Sequence, residues 1–276
     1  MTTAATALST LDDPPSGHYG LGGVLSSEWT KLTSVRSTVW TLVITAVAGV
    51  GIGALVTSAQ AARFSTRSLS ARLAFDPTRS SLSGLLFAQL AIGVLGVLVM
   101  SAEYSTGTIR ASFSAVPRRP MVLVAKVALI AGVAFVVGEI VSFVAFLLGQ
   151  HILSGKTPTA SLSDPTVLRA VVSGGLYLTA LGLLALGLAT IIRHTAAAIS
   201  TFVGLLFILP IIADVLPSSF ANDVGRLLPA DIGTQMMSAN YHGADSFGPW
   251  LSFTLLCAYA AAALIAGAVL LIRRDA

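Results

Sequence analysis

The sequence predicts an all-α, polytopic membrane protein of six transmembrane helices, led in by an N-terminal amphipathic interfacial helix. Three observations predict it. Of the 276 residues, 55% are hydrophobic and only 10% are charged, whereas soluble domains carry about 25% charged residues. The mean hydropathy is +0.86. The apolar residues also gather in six runs, each near the ~20 residues that cross a bilayer core. The net charge of +4 is spread over the segments between runs, not clustered in a patch. It therefore reads as loops flanking membrane spans, and nucleic acid is not among the expected partners. The single cysteine, Cys257, lies inside an apolar run, which excludes an intramolecular disulfide and a cysteine metal cluster.

Residues 1–20 are small, polar and turn-rich, and they lack the 7–15-residue apolar core of a signal peptide. They are expected to form a disordered cytoplasmic tail, with residues 21–276 making a single transmembrane domain. From 21 to 38, Val24, Leu25, Trp29, Leu32 and Val35 recur at helical spacing, with Glu28, Lys31 and Arg36 elsewhere on the wheel. That pattern predicts a helix lying in the membrane interface, with Trp29 at headgroup level. The six spans are expected at about 39–59, 82–100, 127–149, 168–192, 196–216 and 250–272. Only Arg193, His194 and Thr195 separate the fourth from the fifth, so those two form a tight hairpin.

An even number of spans puts both termini on one side. If that side is cytoplasmic, nine basic residues face inward and seven outward. Four of the seven, Arg63, Arg67, Arg72 and Arg79, crowd the single loop 60–81, against the positive-inside tendency. Charge alone favours termini inside only weakly.

The densest polar stretch in the first half of the chain is SAEYSTGTIRASFSAVPRRP, residues 101–120. Glu103 sits where the second span leaves the membrane, so its carboxylate must be at the interface or paired, with Arg110, Arg118 and Lys126 as candidate partners. Gly107 can take a positive φ and turn the chain sharply. Thr108 is expected to cap a short helix that Pro117 ends. A short rigid helix held by such a turn is something a soluble subunit could push.

Here the residues resemble a known family. Glu103-Tyr104-Ser105-Thr106-Gly107-Thr108-Ile109-Arg110, followed by Ala115-Val116-Pro117-Arg118-Arg119, is similar to the motif after the second span of type-2 ATP-binding-cassette (ABC) exporter permeases. The entry segment Ser27-Glu28-Trp29-Thr30-Lys31-Leu32 resembles the amphipathic start of actinobacterial members. Over about residues 24–273, the resemblance implies a permease subunit in the plasma membrane with both termini cytoplasmic. It implies pairing with a second copy or a related permease, each docking a separate nucleotide-binding subunit that holds ATP and Mg. The coupling residues it implies are Glu103, Tyr104, Gly107, Thr108, Ile109, Arg110, Pro117, Arg118 and Arg119, with Glu28, Trp29, Lys31 and Arg36 on the interfacial helix. The transported substrate would be lipophilic or amphipathic. The alternative is a non-transporting membrane anchor or regulatory subunit of an ATPase complex.

The chain is not expected to be an enzyme itself or to hold a cofactor or metal. QHILSGKT, residues 150–157, nearly spells a phosphate-binding loop, but its first position is Gln and it follows a span, not a strand. The four histidines are scattered, and neither H-E-x-x-H nor G-x-S-x-G occurs. Glu139 lies deep in the third run and Gln89 in the second, which makes them candidates for a substrate path. Gly49/Gly53 and Ala263/Gly267 are small pairs that allow close helix approach. Pro210 is expected to kink the fifth span, and Pro229 and Gly233 to interrupt the long outer segment 217–249.

Overall fold

The computed structural model describes residues 20–115, 119–215, 225–240 and 247–273. The expected N-terminal tail, Pro117, Arg118 and the outer stretches 216–224 and 241–246 lie outside the described residues. All regular structure among the described residues is helical, and six helices are long and apolar enough to cross a membrane. The expected fold class is therefore the observed one.

Helix α1, Leu21–Ser34, lies ahead of the first span. It stops four residues earlier than expected, because Val35 is extended (φ −92°, ψ 116°) and breaks the helix before Arg36. The first span runs Arg36–Ala62 as α2 (Arg36–Ala46), a π-helical turn (Val47–Ile52) and α3 (Gly53–Ala62). Two short helices follow, α4 (Leu69–Leu73), capped by Ser68, and α5 (Pro77–Ser81), capped by Asp76 with Pro77 in its first turn. The second span is α6, Leu85–Thr106, and α7, Thr108–Ala115, turns off its end.

The third span lies in α8, Arg119–Leu153, and the fourth is α9, Pro165–Ile192, capped by Asp164. The fifth comprises α10 (Thr195–Val203), a π-helical turn (Gly204–Ile208) and α11 (Leu209–Val215). That turn precedes Pro210, which lacks the N–H for an intrahelical bond. Short α12, Pro229–Met236, and the sixth span α13, Pro249–Arg273, complete the chain. Pro229 opens α12 as a first-turn proline should, but Gly233 does not interrupt it. Gly233 lies inside the helix because a Cβ there would stand 2.4 Å from the Tyr177 ring.

Helices α6 and α9 form the centre. In their most apolar stretches 61% and 67% of residues are buried, against 22% for the first, fifth and sixth spans. Helix α9 packs on α6, α8 and α13. Lipid chains are as apolar as leucine, so what draws these helices together is close packing and a few polar ties. Small residues set the closest approaches. A Cβ on Gly84 would stand 2.0 Å from the Gly49 carbonyl oxygen, and one on Gly187 would stand 2.7 Å from the Ala263 Cβ. Gly49/Gly53 and Ala263/Gly267 are thus used within the chain, whereas nothing lies within 4 Å of a Cβ on Gly51. Gly84→Ala should lower unfolding stability in detergent by about 1–3 kcal/mol through overpacking against backbone, while Gly51→Ala leaves it unchanged or slightly raised; thermal unfolding of the two variants side by side checks this.

Candidate functional site

Four charged side chains from three elements meet at the end of the bundle where α6 finishes. Lys126 Nζ of α8 lies 2.5 Å from Glu28 Oε2 of α1 and 2.8 Å from Glu103 Oε1 of α6. Lys31 Nζ of α1 lies 2.6 Å from Glu28 Oε1 and 2.9 Å from the same Glu103 oxygen. Lys126 also donates to the Val99 carbonyl at 3.1 Å, and Lys31 to Ser112 Oγ of α7 at 3.0 Å. Two carboxylates and two ammonium groups balance, so the quartet is neutral as a unit. Side-chain exposure is 1% for Lys126, 4% for Glu28, 11% for Glu103 and 42% for Lys31, which makes Lys31 the solvent-facing member.

Local structure explains how these residues arrive. On α1 the buried stripe is Val24, Glu28 and Leu32, one residue per turn. Glu28 therefore sits in the middle of the packed face, a correction to the wheel read from sequence, which placed it away from that face. Burial there is tolerated because Lys126 waits on α8. Trp29 stands exposed on the neighbouring side, and Arg36 is exposed at the start of α2. Burial pushes the Lys31 ammonium pKa down, but hydrogen bonds and charge from Glu28 and Glu103 outweigh it and leave it raised. A raised lysine contributes stability that is fully present below its unfolded value, about 10.4, and is lost only as pH rises through the folded value. The tie therefore holds throughout the neutral range.

The rest of the predicted coupling stretch divides into buried anchors and an exposed knob. Gly107 ends α6 with φ +72°, the left-handed turn expected of it. The cap expected of Thr108 is not formed among the described residues; its hydroxyl meets that of Thr106 at 2.9 Å instead. Ile109 is buried in the core and Arg110 is exposed. Arg110 forms no ion pair among the described residues; of the candidate partners of Glu103 it is Lys126 that pairs with it, joined by Lys31. Arg119 opens α8.

Tyr104 faces a different neighbour. The Arg193 guanidinium lies 5.2 Å from its ring centre and donates to the Leu270 carbonyl at 3.0 Å. Thr195 donates to Ser101 Oγ at 3.0 Å. The last turns of α6 thus hold α1 and α8 through Glu103, and the α9–α10 corner and α13 through Tyr104 and Ser101.

A cleft of about 370 Å³ opens over the quartet, walled by Leu32, Val35, Thr38, Leu95, Val99 and Leu129. The two intramembrane candidates stand apart from it. Gln89 accepts a hydrogen bond from Tyr177 in the core, both fully buried, so it joins α6 to α9. Glu139 lies against Gly175 of α9, where a Cβ would come within 2.5 Å of its carboxyl group, and its oxygens have no hydrogen-bond partner among the described residues. Gln150–Leu153 form the last turn of α8, and Gln150 clamps the far end by donating to Ser81 Oγ at 3.0 Å. Among the described residues no three His, Cys, Asp or Glu side chains come together as metal ligands.

The sequence pointed to Lys126 as a candidate partner of Glu103, but it left Glu28 and Lys31 in a separate feature and did not show Lys126 as the common centre. Glu28 lies 98 residues from Lys126, and nothing local to either residue announces the pairing. No family model matches the chain, and no curated protein matches it.

Removing Lys126 leaves two buried carboxylates sharing one half-exposed lysine. Lys126→Ala should therefore cost about 3–5 kcal/mol of stability, whereas Lys31→Ala should cost under about 1 kcal/mol because water can replace it. Chemical unfolding in detergent micelles separates the two.

Proposed function

We propose that this chain is the membrane-spanning permease subunit of an ATP-driven exporter of the ABC type, working with a separate nucleotide-binding subunit. The observation that carries the reading is the joint at the end of α6. There a surface helix, two spans and a short projecting helix are locked to one another by a buried charge quartet and a left-handed glycine. A push on exposed α7 reaches α6 through the Gly107 turn, α1 through Glu103 and Glu28, and the α9–α10 corner through Tyr104. Rigid ties between elements that could move as a body are what mechanical coupling requires. The motif resemblance at 103–119 and in the entry segment adds to this, and on the proposed orientation α1 and α7 face the cytoplasm, with both termini on that side of the plasma membrane.

In this reading the residues divide their work. Glu28, Lys31, Glu103 and Lys126 hold the joint, Arg110 and its exposed neighbours on α7 meet the ATPase, and Gly107 sets the angle between them. The exposed apolar residues of the first span, Trp40, Val43, Ile44 and Val47, leave a face for lipid or for a second permease copy. ATP and Mg would be held by the partner subunit.

One observation favours the alternative, a non-transporting anchor or regulator. The central α6–α9 contact is sealed by Tyr177 on Gln89. An assembled complex that turns over ATP while moving no solute would select it.

Co-expression with candidate nucleotide-binding subunits followed by detergent pull-down tests the proposal. Wild type should retain an ATPase. Arg110→Glu should lose it on the order of 10-fold or more without changing stability, since one interfacial ion pair is reversed. Gly107→Val should keep the ATPase bound but uncouple its turnover, because a β-branched residue strains at φ +72°. Absence of any bound ATPase under all conditions would overturn the reading.

A further inference from the structure

The end of the bundle opposite the quartet holds a second polar constellation. Helix α6 separates the two by its 22 residues, roughly 33 Å. There a cavity of about 390 Å³ is lined by Arg67, Asp76, Arg79, Ser80, Ser83 and Ser238, among others. Arg67 and Arg79 form no ion pair with any described residue. Arg67 is held over the Phe75 ring, its guanidinium carbon 5.7 Å from the centre, which positions the group without using its N–H donors.

Asp76, which lines the same cavity, forms no ion pair with either of them. One of its oxygens accepts from the Thr78 and Arg79 amides at 2.9 and 3.0 Å, and the other accepts from Ser238 Oγ at 2.9 Å and the Ala239 amide at 3.1 Å. Its oxygens are occupied in capping α5 and tethering residues 238–240. The hydroxyls of Ser80, only 4% exposed, and of Ser83 are buried without a hydrogen-bond partner among the described residues. Buried hydroxyls left unpaired are unfavourable. Two unpaired guanidinium groups beside two unpaired hydroxyls form a donor set suited to an oxyanion.

Position says which kind. The cavity lies where the first span ends at Ala62, with Gln60 in its wall. Beside it, Leu69 and Leu73 stand exposed one turn apart on α4. Apolar side chains next to arginines at the end of a span are the pattern of a segment resting in the headgroup layer. We propose that this cavity binds an anionic phosphate group, as carried by a phospholipid headgroup or by a free phosphate. The site accounts for two of the four arginines in this one loop, Arg67 and Arg79, and it stands independently of what the quartet end does.

Binding of phosphatidylglycerol, phosphatidylcholine and inorganic phosphate to the purified full chain in detergent, followed by native mass spectrometry, tests it. Phosphatidylglycerol should bind at least about tenfold more tightly than phosphatidylcholine, because charge-assisted bonds to both arginines favour the net anion. Arg67→Gln/Arg79→Gln should lose about tenfold or more of that binding and Ser80→Ala severalfold, whereas Arg63→Gln/Arg72→Gln, outside the cavity lining, should retain it. Inorganic phosphate that displaces the lipid assigns the site to phosphate itself, and lipid binding undisturbed by phosphate assigns it to the whole headgroup. Equal affinity for the two lipids with no phosphate binding, or equal losses in the two arginine pairs, would overturn the proposal. The wild-type comparison of lipids needs no variant to fold.

Discussion

Three buried charges, with a half-exposed fourth, constrain everything around them at the edge of a membrane. An isolated carboxylate or ammonium group there would be several kcal/mol unfavourable even after relaxation. Glu28, Lys31, Glu103 and Lys126 are tolerated because each has an opposite charge within 2.9 Å. That condition fixes geometry. Helix α1 must lie with its Glu28 face down, α6 must end at the height of Lys126, and α8, which opens at Arg119, must already be helical where Lys126 meets them. No one of these elements can shift alone without leaving a buried charge unmatched.

The molecule gathers most of its polar ties at its two ends, with small residues and a few buried bonds such as Tyr177 to Gln89 between them. At one end the quartet, the Tyr104–Arg193 contact and the Ser101–Thr195 bond gather five helices around the last turns of α6. At the other, Asp76 and Arg169 fasten residues 236–240 to α5 and α9, and Gln150 fastens α8 to α5. Between them, contacts such as Gly96 against Gly182 and Gly187 against Ala263 bring helix backbones close because neither partner carries a bulky side chain. A rigid, tightly packed middle joining two tied ends is suited to passing displacement from one face to the other.

The six spans were legible because apolar length is a direct demand of the bilayer, and Gly107 was legible because only a left-handed turn lets a short helix leave a span at that angle. The start of the third span was not. Lys126 looked like the flank of an apolar run beginning at 127, yet the apolar helix begins at Pro120, because a lysine fully paired inside the protein no longer marks the water boundary. Glu28 was misplaced for the same reason. Its partner is 98 residues away, and no periodicity within α1 can announce an acid that belongs to the packed face. Gln89 was legible as a polar group inside a span, but Tyr177, its partner, sits in a different apolar run. In each case the local pattern was right about polarity and silent about the distant partner.

The central claim is that the quartet acts as one unit joining α1, α6 and α8. A double-mutant cycle on Glu28→Gln and Lys126→Met, read by unfolding in detergent, tests it most directly. The account predicts that the pair is less damaging than the sum of the single changes, by about 1–3 kcal/mol, since each single change strands the other's charge. Additivity within about 0.5 kcal/mol would contradict it, and α1 would then be a surface helix whose attachment owes nothing to the buried charges.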